Sequence, residues 1–91
     1  MPLLKKVCVV GAGNWGKNHI RTLQNLGNLS GIVESDQKVL ASLKAFYPNT
    51  ASFTELSEAI NYGFDGFIVA TPTETHFNIA RKIIETGHHV L

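Results

Sequence analysis

The chain has 91 residues, of which 44% are hydrophobic and 16% are charged, a composition typical of one small globular domain. Its net charge of +1, without a basic run, argues against a nucleic-acid partner, and no apolar stretch reaches the length of a membrane span. The single cysteine, Cys8, excludes a disulfide within these residues. We therefore expect a cytoplasmic protein in which this thiol is packed and inert.

Strand and helix signals alternate along the sequence. Apolar runs predict strands at residues 5–10, 29–33, 51–53 and 67–70, and residues 88–91 open a fifth. Helices are predicted between them at residues 14–26, from Ser35 or Asp36 to residue 46, from Thr54 to residue 60, and from Thr73 to residue 86. This alternation predicts an α/β fold of the Rossmann type, with a parallel sheet in the order 3-2-1-4-5 and helices on both faces. We expect the sheet to be truncated in or after strand 5.

Caps and apolar faces refine these helices. Asp36 is predicted mainly as an N-cap and secondarily as a ribose ligand. Thr54 and Thr73 are predicted as the caps of the later helices, and Gly27 and Gly87 as helix ends. The residues predicted to face inward are Ile20, Leu23, Leu26, Val39, Leu40, Leu43, Phe46, Phe77, Ala80, Ile83 and Ile84.

The first strand runs directly into Gly-Ala-Gly-Asn-Trp-Gly at residues 11–16. Gly11 permits a tight turn, Gly13 lets a pyrophosphate approach the backbone, and Gly16 lets the next helix pack closely. The start of that helix offers free N–H groups and the positive end of the helix dipole. Together with the strand, these glycines predict a dinucleotide-binding loop rather than ordinary turns.

Glu34 closes the second strand, where a carboxylate accepts hydrogen bonds from the adenosine ribose hydroxyls. The alternative is a solvated carboxylate at the strand end or at the start of the next helix. Because a carboxylate repels a 2′-phosphate, the sequence predicts NAD as the cofactor, with NADP less favoured.

Other polar residues have two interpretations each. Asn14 and Trp15 belong to the predicted cofactor-binding loop, although Trp15 either covers the bound cofactor or packs beside the first turn. A polar helix face is the favoured interpretation of Lys17, Asn18 and Arg21, and phosphate or substrate contacts are the alternative. No metal site is predicted, because His88 and His89 alternate on a strand and point to opposite faces.

Two motifs together resemble the N-terminal domain of the Gfo/Idh/MocA oxidoreductase family. They are Gly-Ala-Gly-Asn-Trp-Gly-Lys-Asn-His at residues 11–19 and Val-Ala-Thr-Pro-Thr-Glu-Thr-His at residues 69–76, which a helix and Gly-His-His-Val-Leu follow. Within the family, Trp-Gly-Lys-Asn together with Arg21 looks most like the branch that acts on nucleotide sugars.

The resemblance implies an NAD(P)-dependent dehydrogenase that moves hydride between a sugar carbinol carbon and the nicotinamide. It implies that Thr71 and Pro72 lie against the nicotinamide half of the cofactor, and that His76 supports their loop. A histidine that merely caps or packs the helix start is the alternative for His76.

The sequence departs from the family's pattern at its end. The family carries a Glu-Lys-Pro motif with a catalytic lysine after the Gly-x-His-Val-Leu strand, followed by a substrate domain, whereas this sequence stops at Leu91. We therefore expect residues 1–91 to be a dinucleotide-binding fragment without catalytic residues. We expect the fragment to bind NAD weakly or not at all, to lack turnover and to form a homo-oligomer. A non-catalytic regulatory or scaffold module is the alternative. A flavoprotein is less favoured because Ile20 stands where the flavin-binding pattern has a small residue. A methyltransferase is less favoured because Val10 stands where that pattern usually has an acidic residue.

Overall fold

The structure is a computed structural model that describes residues 6–71 and 73–90. Its elements in chain order are β1 (Val7–Val10), α1 (Asn14–Leu26), β2 (Leu29–Val33), α2 (Gln37–Phe46), β3 (Ala51–Phe53), α3 (Leu56–Ile60), β4 (Gly66–Val69) and α4 (Thr73–Glu85). The four strands form one parallel sheet in the order β3-β2-β1-β4, which confirms the predicted fold class. No helix among the described residues has the length and apolar character needed to cross a membrane.

The predicted fifth strand is represented by a single bridge. Val90 pairs in parallel with Phe67, and the Phe67 N–H donates a hydrogen bond of 2.9 Å to the His89 carbonyl. This pairing lies beside β4, so within the described residues the chain enters the predicted fifth position without forming a full strand there.

Alternate side chains of β1 point to opposite faces of the sheet, as the period of a strand requires. Cys8 and Val10 pack in one apolar cluster with residues of α3 and α4, and Val7 and Val9 pack in another with residues of α1 and α2. Helices therefore cover both faces, as predicted. Cys8 is fully buried, and desolvation raises the pKa of its thiol to about 12, which fits the inert thiol that we expected.

Two of the predicted helix starts shift in the structure. Asp36 caps α2 as predicted, because its Oδ1 accepts hydrogen bonds from the N–H groups of Lys38 at 2.9 Å and Val39 at 3.3 Å. Thr54 does not cap α3: β3 ends at Phe53, two bend residues follow, and the N-cap position of α3 is Glu55, which forms no side-chain cap hydrogen bond. The helix α4 already includes Thr73, its predicted cap.

Four of the predicted inward residues are exposed instead. Leu26 is 62%, Phe46 79%, Phe77 70% and Ile84 61% exposed. In α4 the stripe that faces the sheet consists of Ile79, Ala80 and Ile83. Phe77 and Ile84 lie two turns apart on the flank of that stripe, so the helical repeat carries both away from the sheet. The other two exposed side chains lie at the last positions of α1 and α2.

Candidate functional site

The carboxyl ends of the strands meet at one edge of the sheet and border a cleft of about 800 Å³. Its lining residues are Val10, Gly11, Ala12, Gly13, Val33, Glu34, Ser35, Thr54, Leu56, Ala70, Thr71, Thr75 and Ile79. The chain reverses its direction across the sheet between β1 and β4, and ligands of open α/β sheets bind at such a point. We call this space the carboxyl-edge cleft.

Gly11 turns the chain out of β1 in a conformation that favours glycine. Its φ is +94°, and its N–H donates a hydrogen bond of 2.8 Å to the Val33 carbonyl. A Cβ at this position would lie 2.9 Å from Thr71 Cγ2 and 3.0 Å from the Ala70 carbonyl oxygen. Both the backbone conformation and the space beside β4 therefore require glycine.

The other two glycines of the loop differ in what surrounds them. A Cβ on Gly16 would overlap the Gly11 carbonyl oxygen, so the close packing of the first turn of α1 on the loop requires glycine there. Gly13 is exposed, and a Cβ added to it would meet nothing within 4 Å. The packing of the chain itself therefore does not explain Gly13, and the open space above it is available to a ligand.

The helix α1 begins directly after Gly13, which borders this space. Gly13 is the N-cap and forms no side-chain cap hydrogen bond. The Lys17 N–H donates a hydrogen bond of 2.8 Å to the Gly13 carbonyl. The N–H groups of a helix's first turn lack acceptors within the helix, and its dipole places partial positive charge there. With no acidic residue in its first turn, α1 offers a site for an anion such as a pyrophosphate.

Glu34 is fixed by two backbone donors. Its Oε1 accepts a hydrogen bond of 2.8 Å from the Ala12 N–H, and its Oε2 accepts one of 2.8 Å from the Asp36 N–H. Each carboxylate oxygen has two lone pairs, so both oxygens can also accept a hydroxyl. The carboxylate thus joins the glycine loop to the start of α2 and has acceptor capacity left for a ligand.

Thr71 contributes an unpartnered polar atom. Its Oγ1 is buried and has no hydrogen-bond partner in the part of the chain that the structure describes. The pairing of the Ala70 N–H with the Val10 carbonyl at 2.8 Å holds this segment beside the glycine loop. A buried hydroxyl without a partner is costly, so the arrangement is suited to a ligand that supplies one.

The structure brings most of the predicted site residues together. Gly11, Gly13, Glu34 and Thr71 line the carboxyl-edge cleft, and Gly16 supports the loop from α1. His76 is exposed on α4 and is not among the lining residues.

Three predicted residues are described in part or not at all. Asn14 and Trp15 begin α1, but their side chains lie outside the described part of the chain, and Pro72 lies outside the described residues altogether. Among the residues that are described, no three His, Cys, Asp or Glu side chains form a group that fits a metal ion.

Sequence reasoning missed several lining residues. Thr54 and Leu56 follow β3, and Thr75 and Ile79 belong to α4. The place of Thr54 in the cleft could have been predicted from the sequence, because the carboxyl ends of parallel strands meet at one edge of the sheet. The two residues of α4 depend on how that helix lies against the sheet, which no local pattern gives.

Comparison with known proteins agrees with the resemblance found in the sequence. The model of the Gfo/Idh/MocA oxidoreductase family, with an NAD-binding Rossmann fold, matches residues 5–91. No curated protein sequence matches significantly.

Three solved structures illustrate the likeness. The WlbA dehydrogenase of Bordetella pertussis, solved with NADH and UDP-GlcNAcA, is 27% identical over 93% of this chain, with a TM-score of 0.84. GenD2 of gentamicin A biosynthesis, solved with NAD, is 31% identical over 94%, with a TM-score of 0.85. The UDP-N-acetylglucosamine 3-dehydrogenase GnnA of Acidithiobacillus ferrooxidans shares the fold, with 24% identity over 96% and a TM-score of 0.85.

The chain spans only 27%, 25% and 28% of the length of these three proteins. The residues of this chain that the family model matches, 5–91, include the glycine loop and the residues that line the carboxyl-edge cleft. The chain therefore belongs to the Gfo/Idh/MocA oxidoreductase family and has that family's NAD-binding Rossmann fold.

Proposed function

We propose that this chain binds NAD in the carboxyl-edge cleft and is the cofactor domain of a dehydrogenase acting on a sugar or nucleotide sugar. The observation that carries the proposal is the meeting of three groups in one cleft: the glycine loop, the anchored Glu34 carboxylate and the unpartnered Thr71 hydroxyl. When bound, the nicotinamide ring accepts or gives the hydride, and the residues of this chain hold and orient the dinucleotide.

The proposed roles are those that the family resemblance implies, and the positions of Gly11, Gly13, Glu34 and Thr71 in the cleft support them. The pyrophosphate binds the loop of residues 11–16 and the first turn of α1, and the adenosine ribose hydroxyls donate to Glu34. The Thr71 hydroxyl pairs with the nicotinamide half, where Pro72 supplies an apolar wall. We propose that His76 supports the loop after β4 and that Asn14 and Trp15 contact the cofactor, with Trp15 covering it.

The proposal favours NAD over NADP because of the charge at the start of α2. The Glu34 carboxylate accepts the Asp36 N–H, and the Asp36 carboxylate is itself held at the α2 N-terminus by Lys38 and Val39 N–H groups. Two carboxylates therefore lie beside the position proposed for the ribose, where a 2′-phosphate would be repelled.

The sugar or nucleotide-sugar substrate is proposed from the likeness to WlbA and GenD2, of which the first was solved with UDP-GlcNAcA. Because the chain spans about a quarter of those proteins, we propose that residues 1–91 are one domain of a longer enzyme. The residues that bind the sugar and transfer its proton then lie outside this chain, and the isolated domain binds NAD weakly without turnover. We propose a cytoplasmic enzyme, in keeping with the free thiol of Cys8.

We also propose that the chain self-associates. Phe77 and Ile84 are largely exposed on the same flank of α4, and a second copy would remove both from water. Sedimentation velocity is expected to show the population shifting toward a dimer as the concentration rises, and a pure monomer at high concentration would contradict the proposal.

Calorimetric titration with NAD and with NADP tests the cofactor assignment. Glu34→Ala is expected to weaken NAD binding by roughly tenfold, because it removes charge-assisted hydrogen bonds to the ribose. Glu34→Gln keeps an acceptor for the Ala12 N–H but removes the charge, so it is expected to narrow the preference for NAD over NADP.

Glu58→Ala is the matched control, since Glu58 is an exposed carboxylate on α3 that does not line the cleft. It is expected to leave both affinities unchanged. A sample that is folded by circular dichroism and binds neither dinucleotide would refute the proposal and favour a scaffold module. Equal binding of both dinucleotides, insensitive to Glu34→Ala, would refute the role of Glu34.

A further inference from the structure

A second cavity, of about 460 Å³, lies between α1 and α2. Its lining residues are Lys17, Ile20, Arg21, Lys38, Val39, Ser42, Leu43, Phe46 and Tyr47, and we call it the α1–α2 groove. None of these residues lines the carboxyl-edge cleft. The volume falls within the range of small-molecule sites, so the groove is large enough for a ligand of its own.

The groove carries three cations that lack acidic partners. Lys17, Arg21 and Lys38 are exposed, and no carboxylate of the described chain forms an ion pair with any of them. The Arg21 guanidinium donates one hydrogen bond, of 3.3 Å, to the side-chain oxygen of Asn18, which is uncharged. The lining of the groove therefore carries three positive charges and no carboxylate, which favours an anion as its ligand.

The floor and the far end of the groove are apolar. Ile20 and Leu43 are buried beneath it, and Tyr47 is half-buried. Phe46 lines the groove and is 79% exposed, so its ring is available for contact with a ligand. An apolar body lying on these rings would be shielded from water together with them.

Charge and apolar surface occupy opposite ends of the groove. Both helices begin at the carboxyl edge of the sheet, and Lys17 and Lys38 belong to their first turns. Phe46 ends α2 about two helical turns beyond Lys38, and Tyr47 follows it. The polarity of the site is thus set by the direction of the two helices.

We propose that the α1–α2 groove binds a small organic anion with an apolar, aryl-containing body. The anionic group lies between Lys17 and Lys38, with Arg21 alongside, and the body lies over Phe46 and Tyr47. The groove and the carboxyl-edge cleft share no lining residue, so we expect this ligand and a dinucleotide to occupy separate sites. The inference goes beyond the proposed function and does not depend on it.

Fluorescence titration with anilinonaphthalene sulfonate, an aryl anion, tests the inference on the full chain. The probe is expected to bind in the presence of excess NAD, more weakly as salt is added, and more tightly than phenylnaphthylamine, which lacks the sulfonate. The double variant Lys17→Gln/Lys38→Gln is expected to weaken probe binding by roughly tenfold, at a few-fold for each exposed charge pair.

The matched control is Lys44→Gln/Lys82→Gln, which removes the same charge from lysines that do not line the groove. It is expected to leave the affinity for the probe unchanged. Phe46→Ser, at an exposed position whose replacement spares the core, is expected to weaken binding of both probes. The inference is overturned if the probe does not bind, if NAD displaces it completely, or if the groove and control variants bind it equally.

Discussion

The two edges of the sheet differ in whether the chain pairs a particular polar group. At the amino edge, the Lys6 N–H donates 2.8 Å to Asp65 Oδ2, and the Asp65 N–H donates 2.7 Å back to the Lys6 carbonyl. At the carboxyl edge, Thr71 Oγ1 is buried without a partner among the described residues, and the space above Gly13 is open. The chain pairs the polar groups of Lys6 and Asp65 by itself, whereas it leaves Thr71 Oγ1 and the space above Gly13 to the ligand that we propose.

Gly16→Ala is expected to have the largest effect on this comparison. The added Cβ would overlap the backbone oxygen of Gly11, which cannot move without displacing the whole loop. We expect the free energy of unfolding to fall by roughly 3 kcal/mol, the upper end of the cost of overpacking. Urea denaturation measures the change, and an unchanged midpoint would contradict the close packing of α1 on the loop.

Gly13→Ala is the counterpart of Gly16→Ala, because a Cβ added to Gly13 meets open space. The free energy of unfolding is expected to stay within about 0.5 kcal/mol of the original, the range for surface substitutions. The affinity for NAD is expected to fall by roughly tenfold or more, because the methyl group occupies the approach of the pyrophosphate. Denaturation and calorimetric titration of the same sample give both values, and undiminished NAD binding would place the phosphates elsewhere.

A pair of substitutions, one at each edge, is expected to give smaller effects of opposite sign. Thr71→Val removes a buried hydroxyl that lacks a partner, so we expect about 1 kcal/mol of added stability together with weaker NAD binding. Asp65→Ala removes the acceptor of the Lys6 N–H, so we expect a loss of about 1 kcal/mol with NAD binding intact.

Urea denaturation and NAD titration of both variants provide the test. If Thr71→Val destabilised the chain, its hydroxyl would have a partner within the protein. If Asp65→Ala weakened NAD binding, the separation of roles between the two edges would fail.

The features that the sequence predicted are local ones. The glycine loop, the Asp36 cap and the end of α1 at Gly27 each depend on a few neighbouring residues, and the structure has all three. The strand order also followed, because alternating strands and helices leave few topologies once crossovers are right-handed.

The features that escaped prediction depend on contacts between distant segments. The hydrogen bond from Ala12 to Glu34 joins residues 22 positions apart, and no sequence pattern specifies which backbone donor that carboxylate meets. The helical repeat gave the apolar residues of α4 but not the width of the stripe that the sheet covers, so Phe77 and Ile84 were wrongly placed inside. The α1–α2 groove went unnoticed for the same reason, since Lys17 and Lys38 come together only when both helices pack on the sheet.

The burial of Cys8 means that the reactivity of its thiol measures how often the sheet opens. The thiol lies in β1, at the centre of the sheet, and its pKa of about 12 leaves almost no thiolate at neutral pH. An alkylating reagent therefore reacts only with molecules whose sheet has opened, so the labelling rate follows the population of that open state. A ligand of the native chain lowers that population, and its binding is recorded as a slower covalent reaction without a chromophore or an added tag.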